Sequence, residues 1–346
     1  MSNNRGALQS KSVRESMVFC GVDVSAATLA VAAQQSDVAG WAQREFANSP
    51  CGHRQLMGWL LKRGSRVRVT LEATGVYSLD LALRLDEAEG FEAAVLNPKK
   101  ANDFARSLAR SKTDATDAVA LAEYSRRMEF VPWRRPSRNV LELRALGRHL
   151  SGLTEEHTRL SNRLHAAEAS RTAPRCVLED LKRTLAGVRK RQLRLRRAAR
   201  EMIAREAQME RRLQQLLAMP GIAETSAVQI LAELAGLPEG MTVRQWVAHS
   251  GLDPAHATSG TSVRRPSRIS RQGNRHLRRA LFMPALTASR FDPHLRAFYL
   301  QLLARQKTKL QALTAVARKM LHAIYGCFKT NTRYDGAKLF QAIKIA

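Results

Sequence analysis

The chain has 346 residues, 57 of them Lys or Arg against 30 Asp or Glu, and a formal net charge of +27. That length predicts two or three domains with enough material for real cores, and the charge predicts a polyanionic partner, nucleic acid before a membrane surface. No run of 18 apolar residues occurs, and the first residues, MSNNRGALQSKSVRES, carry no apolar signal stretch, so the expectation is a soluble cytoplasmic protein with no membrane partner.

The predicted elements begin after a disordered basic lead over 1–16. Residues 17–24, MVFCGVDV, read as a buried strand, followed after a short turn by TLAVAAQ and then by a strand around WAQREF. A helix near 50–63, the strand RVRVTLE (66–72), the helix GVYSLDLALRLDEA, the strand FEAAVLN (91–97) and helical sequence to about 127 complete a mixed α/β domain. The proline-bearing VPWRRPSR ends it.

The middle of the chain changes period. Leu143, Leu146, Leu150, Leu153, His157, Leu160 and Leu164 alternate in steps of three and four. After Pro174 the same alternation runs from Leu178 through Gln192 and Glu206 to Leu216. Such seams predict two long helices in a coiled coil, folded back as an antiparallel hairpin at Pro174 or joining subunits. Between 181 and 200 stand nine basic residues and no acid, a face suited to solvent and to a phosphate backbone. From about 217, LLAMPGIAETSAVQILAEL resembles a helix–hairpin–helix, with Ala223 where the second glycine usually stands. Two helices are expected up to VRQWVAHSGL, then a polar loop through SGTSVRRPSRIS into a basic helix, and helical sequence to about 328.

The four cysteines, Cys20, Cys51, Cys176 and Cys327, form no CxxC pair, and the nine histidines show no ligand spacing. Zinc and disulfide frameworks are therefore disfavoured, and any metal must be held by carboxylates. Four are candidates. Asp23 ends the first strand, Glu72 ends the strand RVRVTLE, and Asp114 and Asp117 open a later helix. Each alone is more often a cap or turn residue, Asp114 as the cap and Asp117 three residues in. Together they suit strand ends and an adjoining helix meeting at one point, where hard Mg²⁺ or Mn²⁺ ions would neutralise them and assist phosphoryl transfer. A second set of groups lies at 258–279, where the hydroxyls of Thr258, Ser259, Thr261, Ser262, Ser267 and Ser270 mingle with arginines, a mixture suited to phosphate binding or to nucleophilic attack.

The order of elements, together with GVDVS, LEATGVY, NPKKANDFARSLARSKTDATDA, MPGI and SGLDP...SGTSVRRPSRISRQGNRHLRRAL, resembles the DEDD transposases of insertion-sequence family one-ten and its eleven-eleven branch, relatives of Piv-type DNA invertases. The resemblance spans nearly all of 17–328. It implies a RuvC-like, ribonuclease-H-like α/β domain over 17–135, an antiparallel coiled coil over 139–216, a mainly helical C-terminal transposase domain over 217–330, and a tail over 331–346. It also implies metal binding and catalysis by Asp23, Glu72, Asp114 and Asp117, and Ser259 as the nucleophile that joins covalently to DNA. Arg264, Arg265, Arg268, Arg271, Asn274, Arg275 and Arg278 are then expected to bind nucleic acid. The expected partners are donor and target DNA, a structured guide RNA, and further copies of the chain as a dimer or tetramer sharing composite sites, on a prokaryotic nucleoid. Three alternatives stand beside this: a RuvC-like nuclease or junction resolvase that uses water and no serine, a catalytically silent nucleic-acid-binding protein built on the basic coiled coil, and a tyrosine nucleophile at Tyr299 or Tyr325.

Overall fold

The computed structural model describes residues 16–73, 75, 77–108, 113–259 and 263–341, with backbone alone at 256–259, 263–267 and 339–341. Residues 1–15 of the expected lead over 1–16, the Lys112 side of the KTD motif and the last five residues lie outside the described residues. The chain divides into two compact units, 1–135 and 136–346.

The first unit is built on a five-stranded sheet of β1 (Met17–Val24), β2 (Thr28–Gln35), β3 (Ala42–Ala47), β4 (Arg66–Glu72) and β5 (Phe91–Leu96). Their order is β3-β2-β1-β4-β5. The first three strands form an antiparallel meander, while β4 and β5 run parallel to β1. Helices α1 (Pro50–Leu61) and α2 (Leu79–Glu87) make the crossovers that parallel pairing requires. Side chains alternate along β1: Val18, Cys20, Val22 and Val24 enter a core with Leu56, Leu60, Leu81 and Leu85 of those two helices. The opposite face is built from small residues. Ala32 of β2 meets Ala118 and Ala122 of α4 (Asp114–Arg127), and α3 (Pro98–Leu108) packs beside it through Ala101 and Phe104 against Leu121 and Tyr124. Hence helices cover the sheet on both faces, as strands buried on two sides demand.

The second unit begins with α5 (Arg138–Ala169) and α6 (Arg175–Ala204), joined by residues 170–174. They run antiparallel: Glu168 reaches Lys182, His157 reaches Arg189, and Asn139 reaches the Met202 carbonyl. The second long helix ends sooner than its leucine period predicts. It stops at Ala204, and α7 (Ala207–Leu217) starts after an extended Glu206. The break has a visible partner, because the Glu206 carboxylate accepts a 2.6 Å hydrogen bond from Asn139 at the start of α5. Beyond α8 (Glu224–Leu234) and α9 (Val243–Ser250) comes a second departure. What reads as a polar loop is an antiparallel hairpin, β6 (Pro254–Ser259) with β7 (Val263–Ile269). Helices α10 (Arg275–Ala280), α11 (Phe282–Phe291), α12 (Pro293–Ala304), α13 (Lys309–Thr330) and α14 (Gly336–Gln341) complete the unit. One apolar core joins Leu143 and Leu150 of α5 to Leu213, Leu231, Leu277 and Met320. Among the described residues no helix is long and apolar enough to cross a membrane.

Candidate active site

Strand register sets two of the carboxylates side by side, and one close helix contact turns the end of α4 that carries the other two toward them. β1 and β4 pair in parallel from Met17–Arg66 to Val22–Leu71, so the next step along each strand sets Asp23 beside Glu72. Residues paired this way project to the same face of a sheet. Gly21 shares that face with Asp23, and α4 lies directly on it. A Cβ at Gly21 would stand 2.1 Å from the Ala118 carbonyl oxygen and 2.3 Å from the Ala122 nitrogen.

The direction of α4 decides which of its ends meets the carboxylates. Ser125 Oγ donates to the Arg68 carbonyl at 3.4 Å, at the level of Phe19 in β1, whereas Ala118 and Ala122 lie at the level of Gly21. The helix therefore runs against β1, and its N-terminus continues toward the strand ends. From the Gly21 contact, the two residues to Asp23 span ~7 Å at strand rise. Back along α4 from the midpoint of Ala118 and Ala122, Asp117 stands ~4.5 Å and Asp114 ~9 Å along the axis at helix rise. Asp23, Glu72 and Asp117 are partly buried there and Asp114 is exposed.

Neither aspartate of α4 caps it. Thr113 does, accepting from the Thr116 backbone at 3.2 Å, while Thr116 Oγ1 accepts from the Thr113 N–H at 2.8 Å. This reciprocal box satisfies the end of the helix without a carboxylate and leaves Asp114 in the first helical position and Asp117 in the fourth. The reading of Asp114 as the cap is thereby corrected. Negative charge at this end is favoured by the helix dipole. The donor set, all carboxylate with no thiolate or imidazole, suits a hard divalent cation. Among the described residues, though, no three acidic, histidine or cysteine side chains already stand close enough to hold one.

In the second unit, Ser259 is the last residue of β6 and its backbone pairs with Val263 of β7. Its side chain, those of Arg264 and Arg265, and Thr261 and Ser262 lie outside the described residues. Of the other arginines, Arg268, Arg271 and Arg275 are exposed. Arg278 is turned inward, donating to the Ser250 carbonyl at 2.6 Å. Asn274 is likewise engaged within the chain: its Oδ1 accepts from the His276 and Leu277 backbones, and its Nδ2 donates to Glu233 at 2.6 Å. Its side chain thus caps α10 and anchors it to α8. Tyr299 and Tyr325 pack against the core, Tyr325 edge-on to Trp246.

The basic side chains of α6 fall into two rows. Lys182, Arg189, Arg196 and Arg200 are engaged with Glu168, His157, Thr225 and Glu210. Arg183, Lys190, Arg194 and Arg197 line the exposed side away from the buried Leu181, Leu185, Val188 and Ala199 and, like the exposed Arg191, make no ion pair among the described residues. At the other end of the unit, Pro220 and Gly221 turn the chain between α7 and α8 beside a hollow of about 470 Å³. Gly221 is needed there twice over, for its φ of +90° and because a Cβ would meet the Pro284 carbonyl at 2.6 Å.

Two family models match the chain. The DEDD model of IS110, described as a transposase, matches residues 20–167, and the model of the transposase IS116/IS110/IS902 family matches residues 213–300. A pilin gene-inverting protein of Moraxella bovis is 28% identical over 305 residues, covering 85% of this chain and 91% of that protein. Its counterpart in Moraxella lacunata matches to the same extent. An insertion element IS110 protein of 43.6 kDa from Streptomyces coelicolor is 32% identical over 120 residues, 35% of this chain and 29% of that one. An α/β sheet with acidic strand ends and a helical second unit, matched in this way, defines an enzyme of the DNA transposase and recombinase class. The chain belongs to the IS110 family of transposases.

Proposed function

We propose that this transposase cuts and rejoins DNA through a serine nucleophile that works with a metal-binding set of carboxylates. The observation that carries the reading is the placement of Asp23 and Glu72 in register on one sheet face, under the N-terminus of α4 with Asp114 and Asp117. The strand order, an antiparallel meander continued by two parallel strands, supports a RuvC-like domain. The antiparallel α5–α6 pair supports a coiled-coil middle. Mg²⁺ or Mn²⁺ held by the four carboxylates would supply Lewis-acid polarisation of the scissile phosphate.

The chain's own chemistry is then simple to balance. The Ser259 Oγ–P bond forms as the P–O3′ bond breaks, and the serine proton passes to the departing 3′-oxygen. The phosphoserine diester retains the energy of the broken link, and a 3′-hydroxyl of another strand reverses the step to complete the exchange. Water in place of Ser259 would give hydrolysis and no rejoining. The name of the Moraxella relatives, pilin gene-inverting protein, supports a reaction in this chain that rejoins the strands it cuts.

A structured RNA transcribed beside the gene guides the choice of donor and target. The outer row of α6 and the exposed Arg268, Arg271 and Arg275 supply phosphate affinity, while base choice comes from elsewhere. Copies of the chain assemble as a dimer or tetramer, with the serine of one meeting the carboxylates of another. The test is a joining assay on labelled donor and target duplexes with the flanking transcript and Mg²⁺. Ser259→Ala and Asp114→Ala are each expected to abolish joined product. Normal cutting by Ser259→Ala would favour a water-using nuclease instead.

A further inference from the structure

Glu233, in the last turn of α8, is a carboxylate that the reaction above does not use. The rest of that helix is apolar on its inner face, and the Glu233 side chain is only 3% exposed. A buried carboxylate is tolerated only when its charge is met by donors. Arg148 of α5 meets it with both arms, Nε at 2.8 Å and a terminal nitrogen at 3.0 Å, and Asn274 Nδ2 donates at 2.6 Å. Burial by itself would raise the Glu233 pKa. These hydrogen bonds, with the charges of Arg148 and Arg144, outweigh it and keep the group below the usual carboxylate range.

Asn274 is the hinge of the arrangement. Besides holding Glu233 it caps α10, and its own N–H donates to the His249 carbonyl at 2.6 Å. It stands five residues past Ile269, the end of β7. Between them the two roots of the hairpin are locked together. The Ser270 N–H donates to the Asp253 carbonyl at 2.8 Å, the Arg271 N–H to the Gly251 carbonyl at 3.1 Å, and the Arg278 guanidinium to the Ser250 carbonyl at 2.6 Å. The Ser270 hydroxyl adds a bond to the Asp253 carboxylate. The hairpin then projects from its first pair, Pro254–Ile269, to its last, Ser259–Val263.

Leverage makes the root important. Five steps of strand are ~17 Å long, so a tilt of about 5° at the root carries the tip through roughly 1.5 Å. Displacements of about 1 Å are enough to cost on the order of 10²-fold in rate. A buried ion pair is a poor source of stability compared with apolar packing, and its best-attested use is to impose one arrangement over others.

We infer that Glu233 is a positioning residue: gripped by Arg148 and Asn274, it fixes the angle at which the hairpin bearing Ser259 leaves the helical core. The inference rests on the serine reading above. Its test exploits the polarity of the Glu233–Asn274 bond. Asn274→Asp keeps the capping oxygen but sets two carboxylates against each other. Glu233→Gln removes one of the acceptors that Arg148 and Asn274 share. The double variant restores a donor facing an acceptor with the direction reversed and the total charge unchanged.

The probe is a labelled duplex carrying the DNA that flanks this gene, with the flanking transcript and Mg²⁺. The readouts are the initial cleavage rate, the Kd for the same duplex, and the thermal midpoint. Each single variant is expected to cleave about 10²-fold more slowly with Kd within twofold of wild type, and the double variant to regain at least about tenfold. Should Glu233→Gln fail to fold, Asn274→Ser keeps a capping oxygen and deletes only the donor to Glu233, with the same loss expected. Rates that fall only with the folded fraction, or a double variant as slow as the product of the singles, overturn the inference. Ser259→Ala, run alongside, separates the claims. Loss there with normal rates in the other variants overturns the positioning role alone, and normal cleavage there overturns the serine reading beneath it.

Discussion

Replacing Gly21 with alanine adds one methyl group to the sheet face under α4, where the space is already taken. The new Cβ would lie 2.1 Å from the Ala118 oxygen, 2.3 Å from the Ala122 nitrogen and 2.8 Å from the Leu121 carbonyl carbon. All three are backbone, so no side chain can swing aside. Restoring a contact of 3.4 Å requires α4 to lift by roughly 1.3 Å along the worst vector. Overpacking of this kind costs ~1–3 kcal/mol, and a clash with helix backbone belongs at the upper end of that range. The same lift carries Asp114 and Asp117 away from Asp23 and Glu72, which predicts about a 10²-fold loss of strand cleavage beyond any loss of folded protein. Urea titration followed by circular dichroism measures the first effect, and initial cleavage rates on fully folded protein measure the second. Gly58→Ala is the control. That glycine sits in α1 with nothing within 4 Å of its added Cβ, so alanine there should be neutral or stabilise by ~0.5–1 kcal/mol. A Gly21→Ala protein as stable and active as wild type would refute the seating of α4 on β1, and with it the direction of its N-terminus toward the ends of β1 and β4.

Two further outcomes are set by the charges. Glu233 has a folded pKa below its unfolded value, so its contribution to stability is present above the ordinary carboxylate pKa of about 4.3 and lost as pH falls through the folded value. Urea midpoints measured between pH 6 and pH 3 should therefore fall more steeply for wild type than for Glu233→Gln, and parallel curves would contradict the pairing. Changing Arg183, Lys190, Arg194 and Arg197 together to glutamine should flatten the salt dependence of duplex-DNA binding. The expected change in slope is up to about 3.6 if each meets one phosphate, and an unchanged slope would mean that the row faces only solvent.

Much of the first unit is legible in the chain before folding because its strands are dense in β-branched and apolar residues bounded by turns. β4 runs over Arg66–Glu72, the seven residues that RVRVTLE marks out. The 49-residue interval between Asp23 and Glu72 turns out to equal the offset of the parallel register, since Met17 pairs with Arg66. What escapes such a reading is polar. The β6–β7 hairpin carries PAHATS and VRRPSRI, whose arginines, serines and prolines give no apolar alternation. The break after Ala204 interrupts a sound leucine period because one side chain, Glu206, finds Asn139 67 residues away in sequence. The Thr113 cap is signalled locally, by a threonine three residues before Thr116, yet the aspartate beside it is the more familiar cap. Nothing local marks Glu233 as special, because its partners Arg148 and Asn274 are 85 and 41 residues distant.

A covalent bond between Ser259 and DNA is tested most directly by trapping it. Protein, flanking transcript, labelled donor and target duplexes and Mg²⁺ are incubated, denatured and resolved on a gel, and any retained label is mapped to a peptide by mass spectrometry. The expected product is a protein–DNA adduct on the peptide containing Ser259, absent from both Ser259→Ala and Asp114→Ala. Efficient cutting with no adduct at any time point, or an adduct on Tyr299 or Tyr325, would contradict the serine mechanism.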